Sequence, residues 1–191
     1  MSFEAFAVST GVVALGEMGD KTQLLALLLA ARFRAPRPII AGILVATLAN
    51  HALAAALGTW LTQLVDPQWL RWGLGLSFIA VALWMLVPDQ ADAAAAGAEH
   101  TRLGVFGVTV IAFFLAEMGD KTQIATVMLA ARYNALVTVT AGTTLGMMIA
   151  NVPAVLLGDK VLKLVPIAWV HGIAALVFGA IGVAVLAGVG G

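Results

Sequence analysis

The sequence contains no cysteine, and only 10% of its 191 residues are charged. Without cysteine there is no disulfide, no thiolate metal ligand and no thiol nucleophile. Basic and acidic residues balance, so the formal net charge is zero, and no run of basic residues is present. Nucleic acid is therefore not an expected partner, because binding it requires a concentrated positive surface.

Hydrophobic residues make up 62% of the chain, and the mean hydropathy is +1.03. A helix needs about 20 mostly apolar residues to cross a bilayer, and the apolar stretches supply six such segments. They run from Phe3 to Ala31, Ile39 to Leu64, Trp69 to Val87, Leu103 to Ala131, Leu136 to Leu157 and Ile167 to Ala187. The composition therefore predicts an all-α, polytopic membrane protein with six transmembrane helices, whose first partner is the lipid bilayer.

The two halves of the chain repeat each other at an offset of 100 residues. The heptapeptide Glu-Met-Gly-Asp-Lys-Thr-Gln occupies Glu17–Gln23, called here the first motif, and recurs at Glu117–Gln123, the second motif. Phe78 likewise recurs as Phe178. Each half holds three predicted helices, and because three is odd, the second half must enter the membrane in the opposite sense. Such inverted repeats place a transporter's site near the bilayer midplane, where the repeats meet.

The expected organisation is a first three-helix repeat at 1–88, a linker at 89–101 and a second, inverted repeat at 102–191. The linker is rich in alanine and too polar to span a bilayer. We interpret it as a plain connection, with an acidic segment that gathers cations as the alternative. Lysine and arginine are more numerous in the loops on its side, which predicts a cytoplasmic linker, both termini outside and a place in the inner (plasma) membrane.

Each motif carries three ionisable residues near the middle of a long apolar segment. Ionisable groups at that depth cost several kcal/mol unless they are paired or face water, so the first hypothesis for them is functional. The candidate metal ligands are the four carboxylates of Glu17, Asp20, Glu117 and Asp120. On a continuous helix the two acidic residues and the glutamine of one motif share a face, and inverted symmetry brings the other motif opposite.

Further candidates surround these carboxylates. They are Lys21, Thr22, Gln23, Lys121, Thr122 and Gln123 within the motifs, Met18 and Met118 between the acidic residues, and Asn50 and Asn151 in the second helix of each half. Oxygen ligands of this kind suit Mn²⁺, Ca²⁺ or Mg²⁺. The alternative is that each motif's glutamate and lysine form a buried ion pair that only fixes packing, but four carboxylates exceed two lysines.

Some of these residues have competing interpretations. A methionine sulfur would favour Mn²⁺ over Ca²⁺ if it reached the ion, although methionine in a membrane helix more often packs. For His51, packing is likewise the leading interpretation. Gly16 and Gly19 have low helix propensity and predict a break that frees backbone carbonyls, and Pro153 predicts a kink beside Asn151.

The doubled Glu-x-Gly-Asp-Lys-Thr signature, at Glu17–Thr22 and Glu117–Thr122, resembles the cation exporter family that includes the bacterial manganese exporter MneA and the eukaryotic Golgi manganese and calcium transporters. The likeness covers the whole chain, and neither copy departs from the signature. The resemblance implies a six-helix, antiporter-like exporter in which the four carboxylates named above bind the ion. It also implies Mn²⁺ as the leading substrate and Ca²⁺ as the alternative.

The leading prediction is therefore a secondary transporter, not an enzyme, that exports Mn²⁺ in exchange for protons and needs no cofactor beyond the transported ion. Four acidic groups crowded in a low-dielectric site cannot all stay ionised when the metal leaves, which makes protons the expected counter-ion. A divalent-cation channel and a Ca²⁺/proton antiporter are the alternatives. A membrane enzyme is a third, since paired carboxylates can act as acid and base. The sequence leaves the oligomeric state open.

Overall fold

The computed structural model of the chain describes residues 3–87, 104–158 and 167–188. Within those ranges the chain forms eight helices and no strand. They are α1 (Phe3–Glu17), α2 (Lys21–Phe33), α3 (Pro36–Leu64), α4 (Pro67–Met85), α5 (Gly104–Glu117), α6 (Lys121–Tyr133), α7 (Leu136–Leu157) and α8 (Ile167–Leu186). The predicted all-α class is confirmed, and the predicted linker at 89–101 lies outside the described residues.

The first segment of each half is two helices rather than one. The predicted spans Phe3 to Ala31 and Leu103 to Ala131 are each interrupted, because α1 ends at Glu17 and α5 ends at Glu117. The predicted break at the motif glycines is confirmed. The other four predicted segments correspond to the single helices α3, α4, α7 and α8.

The motif itself encodes this break. Gly19 has a φ of 85°, a left-handed conformation that glycine adopts without strain, and Asp20 is the N-cap of α2. The Gln23 side chain reaches back to accept a hydrogen bond from the Gly19 N–H at 2.9 Å. The second motif repeats both features, with Gly119 at a φ of 77° and its N–H donating to Gln123 at 2.7 Å. An aspartate cap followed three residues later by glutamine is a helix-start signal, so a new helix begins inside each apolar segment.

Contacts between the halves follow a two-fold exchange of equivalent helices. Helix α1 packs on α7 while its equivalent α5 packs on α3, and α4 packs on its own equivalent α8. At the α4–α8 contact, the ring centroids of Phe78 and Phe178 are 6.1 Å apart. Both hydrophobic clusters contain residues of both halves. The halves therefore interlock, and the two motifs come to lie inside one bundle.

Glycines allow one of these helix pairs, α1 and α7, to approach closely. A Cβ atom added at Gly142 of α7 would lie 2.7 Å from the carbonyl oxygen of Phe6, and one at Gly146 would lie 2.6 Å from that of Thr10. Only glycine permits backbones to come so near, as is common where membrane helices cross. One face of α7 is thereby fixed against α1.

The distribution of apolar side chains suits a lipid environment. Three described helices are long and apolar enough to cross a bilayer by length and composition, namely Pro36–Leu64, Leu136–Leu157 and Trp169–Leu186. Large apolar side chains such as Leu53 and Leu176 are exposed on the outside, whereas nineteen polar or charged residues of the described ranges are buried. Polar groups inside and apolar groups outside are what a hydrocarbon solvent favours.

Candidate metal-binding site

The two motifs meet in the interior of the bundle, at the breaks between helices. Glu17 ends α1, Asp20 caps α2, and Asp120 caps α6. All three residues are buried, and one carboxylate oxygen of each lies within 4.8 Å of the others. Oxygen ligands about 2.0 to 2.6 Å from one cation lie roughly 3 to 5 Å from each other. These three carboxylates, called here the carboxylate cluster, can therefore share one divalent cation with little movement.

Glu117, the fourth predicted ligand, lies beside the carboxylate cluster. It is fully buried, and its charge interacts with those of all three cluster residues. The hydroxyl of Thr122 donates to its Oε2 at 3.3 Å, and its Oε1 has no hydrogen-bond partner among the described residues. The Thr122 hydroxyl also lies 3.4 Å from Oδ2 of Asp120, so Glu117 adjoins the cluster without being one of its three converging carboxylates.

Threonine hydroxyls hold one oxygen of each motif glutamate. The Thr22 hydroxyl donates to Oε2 of Glu17 at 2.7 Å. The Thr122 hydroxyl donates to Oε2 of Glu117 at the longer distance of 3.3 Å. Oε1 of Glu17 is buried and has no hydrogen-bond partner in the described part of the chain. A buried carboxylate oxygen without a donor costs free energy of folding, and a bound cation is the kind of group that removes this cost. The threonines therefore orient the glutamates rather than compete with a metal for both oxygens.

The lysines of the two motifs have different surroundings. Lys21 forms an ion pair with Asp120, with Nζ 3.1 Å from Oδ1, so it reaches across to the other motif. Lys121 is only 2% exposed, and its ammonium lies 5.9 Å from the centroid of the Trp84 ring. The position equivalent to Trp84 in the second half is Ala184. Lys21 thus forms an ion pair with the second motif. The packing alternative expects it to pair with Glu17 of its own motif.

The motif glutamines connect the breaks to the long helices. Besides accepting from the glycine of its own motif, Gln23 donates to the carbonyl oxygen of Ala150 at 2.9 Å. Gln123 donates to the side-chain oxygen of Asn50 at 3.5 Å. The expectation that each glutamine shares a helix face with the two acidic residues was wrong, because the helix is interrupted between them. We interpret both glutamines as supports of the site's backbone.

Asn50 and Asn151 occupy neighbouring positions in the two halves but make different contacts. Asn50 donates to the carbonyl oxygen of Phe114, at the end of α5, at 3.0 Å. Asn151 donates to the carbonyl oxygen of Met147 on its own helix at 3.1 Å, four residues before it. Asn50 thus ties α3 to the helix that carries Glu117.

The two motif methionines also differ. Met18 is half-buried, and its carbonyl oxygen lies 3.0 Å from Nε2 of His171 on α8. Met118 is 57% exposed, so most of its side chain lies outside the buried cluster. The sequence reasoning did not single out His171, although a histidine within an apolar helix was a signal that could have done so.

Several known proteins are similar to this chain in sequence. A family model described as "Divalent cation/proton antiporter GDT1" matches residues 5–93 and 105–189. A "Putative manganese exporter" of Vibrio cholerae is 51% identical over 174 residues, which cover 90% of this chain and 85% of that protein. "GDT1-like protein sll0615" of Synechocystis is 32% identical, covering 82% of this chain and 84% of the relative, and "GDT1-like protein 4" of Oryza sativa subsp. japonica is 28% identical, covering 92% and 70%. No solved structure matches the chain.

Proposed function

The chain belongs to the GDT1 family of divalent cation/proton antiporters, and from this premise we propose that it exports Mn²⁺ across the membrane in exchange for protons. Membership confirms the resemblance carried by the two motifs, and the family is one of membrane transporters rather than enzymes. The choice of Mn²⁺ is supported by the name of the Vibrio cholerae relative. The four motif carboxylates, Glu17, Asp20, Glu117 and Asp120, are the proposed ligands.

The observation that carries the proposal is the carboxylate cluster, to which both halves contribute within 4.8 Å. Carboxylate oxygens are ligands that suit Mn²⁺. A metal ligand must be deprotonated, so a cation and protons compete for the same oxygens. When the cation leaves, repulsion between buried like charges favours uptake of protons. One set of groups therefore accounts for both ions of the exchange.

The proposed architecture is six membrane crossings arranged as two inverted repeats. Helices α1 and α2 together make one interrupted crossing, as do α5 and α6, and the four other helices make one each. Support comes from the two-fold exchange of helix contacts and from broken helices at matching positions, which in such transporters lie at the substrate site. Trp69 and Trp169, near the starts of α4 and α8, are both about 75% exposed, as suits anchors at opposite membrane surfaces.

The proposed orientation has the termini outside and the central linker in the cytoplasm of a cell whose inner (plasma) membrane holds the protein. Arg32, Arg34 and Arg37 cluster around the connection between α2 and α3, which is therefore assigned to the cytoplasmic side. The other basic residues used for this assignment, Arg102, Lys160 and Lys163, lie outside the described residues.

Purified protein in liposomes tests the function directly. We expect Mn²⁺ flux that saturates with concentration and is accelerated by Mn²⁺ on the opposite side, as a carrier with one alternating site requires. Ca²⁺ should move more slowly. Faster movement of Ca²⁺ would make the protein a Ca²⁺/proton antiporter, and flux that neither saturates nor responds to metal on the opposite side would make it a channel.

A further inference from the structure

Six buried polar atoms on α3 and α7 have no hydrogen-bond partner among the described residues. They are Oγ1 of Thr47, both ring nitrogens of His51, Oγ1 of Thr140, Oγ1 of Thr144 and Oδ1 of Asn151. Burying polar groups without partners is unfavourable and rare in folded proteins. Their concentration on two helices that pack against each other therefore points to a function.

Other buried threonines of this chain satisfy their hydroxyls on their own helix. Thr109, Thr126 and Thr143 each donate to the carbonyl four residues earlier, at 2.7, 2.8 and 2.9 Å. That bond is available to a threonine in any helix. Thr47 and Thr144 lie within described helices and do not make it. Their hydroxyls are therefore directed away from the backbone of their own helix.

The unpartnered groups of α7 form one stripe. Thr140, Thr144 and Asn151 are four and seven residues apart, so at about 100° per residue they lie within about 40° of one another. Gly142, which packs against α1, lies about half a turn away around the helix. The stripe consequently faces away from α1, and besides α1 it is chiefly α3 that packs against α7.

The inner end of this stripe reaches the level of the motifs. Gln123 donates to Asn50, the residue before His51. Gln23 donates to the backbone carbonyl oxygen of Ala150, the residue before Asn151. His51 and Asn151 thus each follow directly after a residue that a motif glutamine contacts.

The outer end lies near the end of α7. Thr140 is four residues from Leu136, where the helix begins, and about 16 Å along the helix from Asn151. The first half has Ile40 and Leu44 at the positions equivalent to Thr140 and Thr144. The polar stripe is therefore a property of one half, and it leads from the motifs to one side of the membrane.

We propose that His51, Thr140, Thr144 and Asn151, called here the α3–α7 seam, line the path by which water and the hydrated divalent cation pass between the carboxylate cluster and one membrane surface. Thr47 is not part of this path, because α3 runs opposite to α7 in the proposed inverted arrangement and Thr47 therefore lies on the other side of the motif level. The seam is closed in this structure, and its polar atoms gain water as partners when the path opens. Polar groups within a membrane protein's interior are costly, and they commonly mark ion pathways. The inference rests on the proposed transport function, and the proposed orientation directs this path to the outside.

The absence of cysteine makes single-cysteine labelling a clean test. Thr144→Cys and Thr140→Cys are introduced separately, with the fully buried neighbours Thr143→Cys and Val139→Cys as matched controls. Each protein is reconstituted in liposomes, assayed for Mn²⁺ transport and exposed during transport to a small cationic methanethiosulfonate reagent. Because the reagent needs a thiolate in contact with water, we expect the seam cysteines to react about tenfold faster than their controls.

The outcomes separate this proposal from the transport function. Equal labelling of Thr144→Cys and Thr143→Cys in protein that still transports Mn²⁺ would overturn the seam as a pathway. So would labelling of Thr144→Cys without labelling of Thr140→Cys, which lies further out on the same stripe, because the path must be continuous. If Thr144→Cys does not reconstitute, Thr140→Cys and its control carry the test. Absence of Mn²⁺ transport by the unmodified protein would instead refute the proposed function.

Discussion

Lys21 and Asp120 form an ion pair of 3.1 Å that joins the first motif to the second. Asp120 also belongs to the carboxylate cluster, so the lysine ammonium already neutralises part of the charge that a metal would neutralise. Lys21 is 29% exposed, and its side chain has room to withdraw. At the proposed site, the ion pair thus places a tethered cation in competition with the transported one.

The first prediction concerns this competition. Lys21→Gln should strengthen Mn²⁺ binding by up to about tenfold, because it removes a nearby positive charge that solvent only partly screens. The same variant should slow net transport, since the empty cluster loses its counter-charge. Calorimetric titration with Mn²⁺ and flux assays measure the two effects, with the exposed Arg37→Gln as the control for charge removal. Weaker binding in Lys21→Gln would assign the lysine to positioning the ligands instead.

The second prediction concerns the four carboxylates. Glu17→Gln, Asp20→Asn, Glu117→Gln and Asp120→Asn should each reduce transport by at least about 10- to 100-fold, the range that loss of even an outer partner of a metal site costs. Asparagine caps helices as well as aspartate does, so Asp20→Asn removes a ligand while keeping the cap. Asp66→Asn, at the exposed cap of α4, is the matched control. Normal transport by Glu117→Gln would restrict the ligands to the carboxylate cluster.

The third prediction concerns proton coupling. Mn²⁺ should accumulate in liposomes whose lumen is more acidic than the bath, whichever way the protein is inserted, because outward proton movement drives inward metal movement. Setting the two pH values independently and following luminal Mn²⁺ with a fluorescent indicator measures this. An ionophore that collapses the pH gradient is the control. Accumulation that ignores the gradient would leave Na⁺ exchange or uniport.

The fourth prediction concerns the methionines. If sulfur contributes to selectivity, changing both Met18 and Met118 to alanine lowers Mn²⁺ transport relative to Ca²⁺ transport. Because Met118 is 57% exposed, we expect Met18→Ala to account for most of any change. The ratio of the two initial rates is the measurement. An unchanged ratio in the double variant would assign both residues to packing.

The fifth prediction concerns the helix break. Gly119→Ala should destabilise the protein by about 1 to 2 kcal/mol, the cost of a left-handed conformation in a residue with a Cβ atom. Its positive φ of 77° is the sole cause expected, because an added Cβ meets nothing within 4 Å. Gly11→Ala, in the interior of α1 and equally free of neighbours, should instead be neutral or stabilising. Thermal unfolding in detergent compares them, and equal effects of the two changes would contradict a strain at Gly119.

Two features of the sequence were sufficient to predict much of this protein. The long apolar runs predicted helices, because so many of them suit a bilayer and an apolar segment crosses a bilayer as a helix. The doubled motif predicted where charges gather and that both halves contribute, and its glycines predicted the break. Even the position of the break could have been read more closely, since Asp20 and Gln23 together form a helix-start signal.

Other features depend on contacts between residues far apart in the chain. Lys21 forms an ion pair with Asp120 of the other half, and Lys121 lies against the Trp84 ring, whose counterpart in the second half is Ala184. The side chains packed around the two identical motifs therefore differ. The unpartnered atoms of the α3–α7 seam depend likewise on which faces of α3 and α7 the other helices cover. Local composition determined the helices and the type of site in this protein. The tertiary structure alone determined which charges pair and which polar groups stay without a partner, because those outcomes are set by neighbours that the chain brings together only on folding.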